Sequence, residues 1–495
     1  MNKNLKRNGD NRMSPENKNC PGGNTPKSGT INETILLSQE EKFNFKMSAE
    51  NIRIAVLGNV DAGKSTLIGT LTNGKLDNGR GLSRSFVMKH EHEIESGRTS
   101  AIQSHLVGYQ ENGESMVSLL GSTTRNDESS KHSLKKQEQE IASQASKVVT
   151  LMDLAGHEKY LKTTIHGISS GMIDYALVLV DAKQSPTHMT VQHMRLCSAF
   201  GIPMIIVITK IDGCPTHVLK NTKTEINNIL CSHDFRKKSF SLRSEKDSEF
   251  IKDKTSTLTS TVNVSCVSGE GLNILNKLLF HLPKRRKHFQ NKIQRPFEFL
   301  LEETFQVEGV GTVVSGFVNA GRIKVGEKMY IGPFDDGSFV NTTIRSAHIS
   351  RVSVSEVVSG VSACFTLSLK KSQSKALRSG MFGLSEVGPA SRSFDAEIYV
   401  LKGNCTTITT KYVTMVHILH IHQCAQVVNV QKLDDKGSHV AAVDERESKT
   451  ARPGDKTLIS FRFLNKPEMI RNGMRVSFRD GQFRGIGVIT GVSEN

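Results

Sequence analysis

One α/β domain built on a parallel sheet, followed by two small β-barrels, is the architecture this sequence predicts. Apolar runs alternate with helical patterns from about residue 50 to 283, which places helices on both faces of a sheet. From Arg295 onward short β-branched runs alternate with Gly turns instead, and strands at that spacing imply barrels.

The first apolar run, Ile52 to Leu57, reads as a buried parallel strand, and Leu67 to Leu71 reads as a helix. Between them lie Gly58, Asn59, Val60, Asp61, Ala62, Gly63, Lys64, Ser65 and Thr66. Strand, Gly-rich loop and helix in that order form the context of a phosphate-binding loop. Its N–H groups curl inward onto phosphate oxygens at a helix start. Lys64 reaches the outer phosphates and the Ser65 hydroxyl ligates Mg2+.

The run from Lys147 to Met152 ends in Asp153, an acidic residue at a strand tip that holds Mg2+. Gly156 lets a backbone N–H approach the γ-phosphate. A third strand, Met204 to Ile208, ends in Thr209, Lys210, Ile211 and Asp212. The Asp212 carboxylate accepts from two guanine nitrogens that adenine does not present, and the Lys210 stem lies over the base. After Val262 to Val264, the backbone of Ser265, Cys266 and Val267 faces the guanine carbonyl. Four such elements in this order, each at the C-terminal end of an apolar run, predict a P-loop GTPase domain that binds GTP and GDP with Mg2+.

Residues 1–49 are rich in Asn, Lys, Gly, Ser and Pro and read as a disordered tail. The GTP-binding domain spans 50–283. Insertions at about 110–146 and 232–258 carry few hydrophobics and read as mobile surface segments, dispensable to the core. The basic run Pro283 to His288 reads as a solvated linker. β-Barrel domain 2 spans 295–390 and β-barrel domain 3 spans 393–495. His417, His420 and His422 lie in a strand pattern in which only 420 and 422 share a face, so they read as barrel-face residues and not as a metal site.

The formal net charge is +16 with a pI near 9.4, while the first fifty residues are nearly balanced. The surplus in the folded part suits an RNA-rich partner. Eight cysteines are scattered without C-x-x-C pairs, which argues against a zinc site or a disulfide framework. No apolar stretch approaches a membrane span and the N-terminus has no signal-peptide pattern. The expectation is a cytoplasmic monomer with neither membrane nor DNA as a partner.

With this plan in view, the chain resembles the translational GTPases of the EF-Tu and elongation factor 1-alpha type, and most of all the GTP-binding protein 1/2 family. The residues that carry the resemblance are Gly58 to Thr66, Leu76 to Gly81 (LDNGRG), His92 to Ser100 (HEIESGRTS) and Asp153 to Thr164 (DLAGHEKYLKTT). In the barrels they are Val310 to Gly316, Phe461 to Phe463 with Lys466 to Glu468, and Phe478 to Gly481. It covers about 50 to 109, 146 to 230 and 260 to 494.

The resemblance implies an EF-Tu-like three-domain architecture. It places Thr99 in a first switch, closing onto Mg2+ only with the γ-phosphate present, and Asp153 to His157 in a second. It makes His157 the catalytic residue that positions the attacking water, and suggests Asp61 as a carboxylate for a monovalent cation. Release of both switches on hydrolysis lets the three domains swing apart. Two departures stand out: Thr209 replaces the usual Asn of the guanine motif, implying weaker nucleotide affinity, and Arg98 replaces an Ile that helps gate the histidine, implying altered basal hydrolysis.

The function expected is a translation-elongation GTPase whose GTP state binds aminoacyl-tRNA and the ribosome. The alternative is a GTP-switched adaptor in RNA surveillance or mRNA turnover, bound to RNA-decay machinery. A remoter option is a GTPase that regulates a metabolic enzyme.

Overall fold

The computed structural model describes residues 42–44, 46–47, 51–88, 103–118, 129–157, 164, 168, 173–232, 235–285, 291–400, 407–433, 450–480 and 482–493. The first domain contains β1 (Ile52–Gly58), β2 (Gln103–Tyr109), β3 (Lys147–Asp153), β4 (Tyr175–Asp181), β5 (Met204–Thr209), β6 (Lys238–Ser241) and β7 (Leu258–Asn263). They form one sheet in the order β2-β3-β1-β4-β5-β7-β6, parallel except for β2. β1, β3, β4 and β5 are apolar almost throughout and buried along nearly their whole length, as strands covered on both faces must be.

The helices are α1 (Lys64–Asn73), α2 (Ser129–Gln144), α3 (His188–Ala199), α4 (Thr216–Cys231), α5 (Glu245–Ile251) and α6 (Leu272–His281). One face of the sheet packs Leu67, Leu71, Leu275, Leu278 and Leu279; the other packs Met194, Cys197, Ile226 and Leu230. Strand order reverses at β1, whose neighbours β3 and β4 leave on opposite sides. A crevice at the carboxyl ends of the strands there is the place where open α/β sheets bind ligands.

Both insertions differ from the sequence expectation. Residues 232–258 supply the edge strand β6 and the helix α5, which carries a capping box between Ser244 and Asp247. Leu242 and Ile251 of this segment are core residues, while Phe250 stays exposed. In the other insertion α2 buries Ile141 and Ala142, with Ala145 just beyond its end. Composition alone undercounted these segments, because a few apolar residues on one face suffice to dock an otherwise polar helix.

Strands Glu298–Val307, Gly311–Ala320, Lys328–Gly332, Val340–Ile349, Ser362–Leu367 and Phe382–Leu384 close the first barrel, with Val352–Val354 appended. The second is a closed six-stranded barrel of Ser393–Val400, Val413–Ile418, Ile421–Lys432, Lys456–Phe463, Arg475–Asp480 and Gln482–Ser493. The histidine run is not one strand: Leu419, at φ 50°, and His420 turn the chain between two strands, so that His417 faces His422 across the hairpin.

The barrels are tied to the first domain. Ile141 and Ala145 join a cluster with Val314, Ile349 and Phe365 of the first barrel, together with Met47 and Met116. Arg351, at the tip of a barrel hairpin with φ 68°, pairs with Glu138 at 2.7 Å, and its carbonyl accepts from Gln139 Nε2 at 2.7 Å. The chain entering β1 adds Asn44 Nδ2 donating to Glu356 O at 2.9 Å and Lys46 Nζ donating to Ser143 O at 3.0 Å. Lys284 and Arg285 donate to Gly360 O and Asp174 O, so this described part of the basic linker is tied to the protein although Arg285 stays exposed. All three domains meet at Glu302, 3.7 Å from Arg53 and 3.5 Å from His420. The second barrel also reaches the C-terminal end of α3, where Arg475 donates to Phe200 O.

Candidate nucleotide-binding site

At the end of β1 the chain must turn sharply, and Gly58 (φ 144°), Asp61 (φ 59°) and Gly63 (φ 84°) take the positive φ values this requires. A Cβ at Gly58 would meet Leu179 O at 2.6 Å. α1 then starts with no side-chain cap at Gly63, so its first N–H groups face the crevice available to an anion. Lys64 folds back under the loop, its Nζ donating to Asn59 O at 2.9 Å. Burial pushes its ammonium pKa down, while Asp153 and Asp61 oppose that shift.

Parallel pairing sets Asp153 beside Val56, two residues before the loop begins at Gly58. Ser65 Oγ donates to Asp153 Oδ2 at 2.7 Å. Two hard oxygen donors thus converge next to the phosphate cradle, a donor set that fits Mg2+. Gly156 follows where no side chain fits, since a Cβ would lie 2.6 Å from Gly58 O and strike the Lys64 ammonium. Thr164 Oγ1 donates to Ala155 O at 2.6 Å and braces this turn. His157 lines the same cavity, partly exposed. Thr99 and Arg98 lie outside the described residues.

The guanine side is assembled from β5 and β7. Thr209 Oγ1 donates to Ala62 O at 2.9 Å, with Val180 O 3.3 Å away, so the hydroxyl takes over the tie to the phosphate loop. Lys210, at φ 59°, is anchored by Asp181 at 2.8 Å. Ser265 Oγ donates to Asp212 Oδ1 at 2.6 Å and also accepts the N–H groups of Val267 and Ser268. The Val267 N–H is therefore engaged within its own loop. Burial pushes the Cys266 thiol up to about 11, so it is neutral in the site.

These elements enclose a cavity of about 510 Å³ lined by the loop from Val60 to Thr66, Gly156, His157, Thr209, Lys210, Asp212, Cys266 and Val267. Gly58, Asn59, Asp153 and Ser265 stand behind that lining as supports. Sequence reasoning assigned no role to one whole wall, the loop from Asp77 to Arg84. There the Asp77 carboxylate accepts from the N–H groups of Gly79, Gly81 and Ser83 at 2.8–3.1 Å, and the Asp77 N–H donates to Cys266 O at 2.8 Å. Arg80 and Arg84 line the cavity from this loop, and Lys183 adds a third cation. The Asp-Asn-Gly turn was the available signal. A second omission is His193 of α3, fully buried, with neither ring nitrogen hydrogen-bonded among the described residues and its pKa pushed down to about 3 by burial, then by Lys64.

A Gly-rich loop at the end of β1, with Asp153 and Asp212 beside it at the ends of two further strands, on this sheet with two barrels after it, is the arrangement of the translation-factor class of GTP-binding proteins. The family model described as Elongation factor Tu GTP binding domain matches residues 49–284. The chain is 35% identical over 446 residues to GTP-binding protein 1 of Xenopus laevis, covering 89% of this chain and 63% of that protein. It is 35% identical over 449 residues to GTP-binding protein 2 of Homo sapiens, covering 89% and 69%. It belongs to the GTP-binding protein 1/2 family, and it spans less than two thirds of the Xenopus relative. The crystal structure of translation elongation factor SelB from Methanococcus maripaludis with the GTP analogue GPPNHP shares the fold, with a TM-score of 0.60 at 21% identity over 90% of this chain and 80% of that one.

Proposed function

We propose that the chain binds Mg-GTP and hydrolyses it to switch its hold on aminoacyl-tRNA and the ribosome. The observation that carries the nucleotide reading is the convergence of Lys64, Ser65, Gly156 and Asp212 on one cavity, with Asp153 behind it hydrogen-bonded to Ser65. Lys64 is a buried cation held by backbone carbonyls, and an outer phosphate supplies the anion that favours its charged form. Ser65 and Asp153 are the residues that would hold Mg2+, which when bound neutralises charge between the outer phosphates.

The close approach of Gly156 to the loop brings its backbone N–H toward the γ-phosphate. His157, next in the chain and at the cavity surface, orients the attacking water. Both act by position, which is the larger part of catalysis in phosphoryl transfer. Asp212, steadied by Ser265, selects guanine.

The cargo reading is supported by the two barrels, the basic balance and the likeness of fold to translation elongation factor SelB. The test is protection of an aminoacyl-tRNA ester from hydrolysis, with a GTP analogue against GDP. Protection with the analogue alone is expected. Equal hydrolysis with both nucleotides would remove tRNA delivery and leave a GTP-switched adaptor.

A further inference from the structure

We infer that Thr209 ties the phosphate loop but leaves guanine N7 unread, so that this site recognises the base through its N1, N2 and O6 edge alone. The inference rests on the proposed GTP site. Guanine offers donors at N1 and N2 and acceptors at O6 and N7. Asp212 accepts from the two donors, and in the loop after β7 the Cys266 N–H is the one left for O6, those of Ser265 and Val267 being engaged by Glu270 O and Ser265 Oγ. N7 adjoins O6 on the side of the ring nearer the sugar and phosphates. Thr209 stands on that side, three residues before Asp212 and hydrogen-bonded to the phosphate loop at Ala62.

N7 has a lone pair and no proton, so only a donor can read it. A threonine hydroxyl carries one proton, and both oxygens within reach of Thr209 Oγ1 are carbonyls: Ala62 O at 2.9 Å and Val180 O at 3.3 Å. Turning that proton to N7 would orphan the Ala62 carbonyl beside a buried residue, 3% exposed. An asparagine amide has two protons and can serve both acceptors. Lys210 is directed elsewhere, its ammonium drawn to the Asp181 carboxylate at 2.8 Å.

The test compares binding of GTP and 7-deaza-GTP, which replaces N7 by C–H, to the full chain by titration calorimetry, with ATP as the outgroup. Wild type is expected to bind GTP and its 7-deaza form within about twofold. Thr209→Asn is expected to prefer GTP by roughly two- to tenfold, the worth of one neutral hydrogen bond. A wild-type preference for GTP of threefold or more overturns the inference. So does a Thr209→Asn variant that binds GDP but does not discriminate. Failure of wild type to prefer GTP over ATP would instead overturn the GTP site itself, and the inference with it.

Discussion

Ser65 Oγ lies 2.7 Å from Asp153 Oδ2, a hydrogen bond between residues 88 positions apart that brings the two Mg2+-ligating candidates together. Asp153→Asn keeps the shape of the side chain and removes its charge. Wild type is expected to bind GTP on the order of tenfold more tightly in Mg2+ than in EDTA, a ratio that collapses toward unity in the variant. A metal dependence equal to wild type would move the ion elsewhere.

His157→Ala is expected to leave GTP and GDP affinity intact, since the proposed role of the side chain is to position water and not to bind the nucleotide, and to slow single-turnover hydrolysis about a hundredfold. An unchanged hydrolysis rate, with ribosomes present, would take His157 out of the mechanism.

The Asp77 carboxylate organises a cavity wall through three backbone N–H groups. Asp77→Ala leaves those donors without their partner and is expected to cost about 1–3 kcal/mol of stability. Nucleotide release, followed by stopped flow with a fluorescent GDP, should accelerate because Arg80 and Arg84 ride on this loop. A release rate equal to wild type would make the loop a spectator.

Ile141 docks the insertion helix on the first barrel, and Ile141→Ala is expected to destabilise that contact by about 2–5 kcal/mol. Hydrogen exchange should then rise in α2 and in the 349–354 hairpin ahead of the sheet. Uniform exchange across the whole chain would mean that the helix does not brace the barrel.

His193 is neutral when folded, its pKa pushed down to about 3 from an ordinary value of 6.5. Below pH 6.5 the unfolded chain binds a proton that the folded chain refuses, so the folded state loses stability as pH falls through that window, by about 2 kcal/mol at pH 5. His193→Leu is expected to shrink the drop in melting temperature between pH 7.5 and 5. A drop as large as that of wild type would assign the acid sensitivity to other groups.

The phosphate loop, Asp153 and Asp212 were legible because each sits at the end of an apolar run, and hydrophobic pattern is a local property of the chain. Asp77 was less so: its role depends on the Cys266 carbonyl, 189 positions away. The insertions misled for a related reason, since Ile141 and Ile251 count for little in composition and for much once a surface is presented to them. His420 reads as a strand residue until the turn at Leu419 takes it to Glu302.

By itself, then, the sequence determined that this protein has a nucleotide-binding sheet with two barrels after it, and that the nucleotide carries guanine. Those properties follow from strand periodicity and from turn residues within a few positions of one another. Tertiary structure alone decided that Thr209 reaches the phosphate loop, that a polar insertion braces the first barrel, and that Glu302 lies between Arg53 and His420. A hydrogen bond or ion pair needs its two partners within a few ångströms, and for residues far apart in the chain only the packed core brings them there.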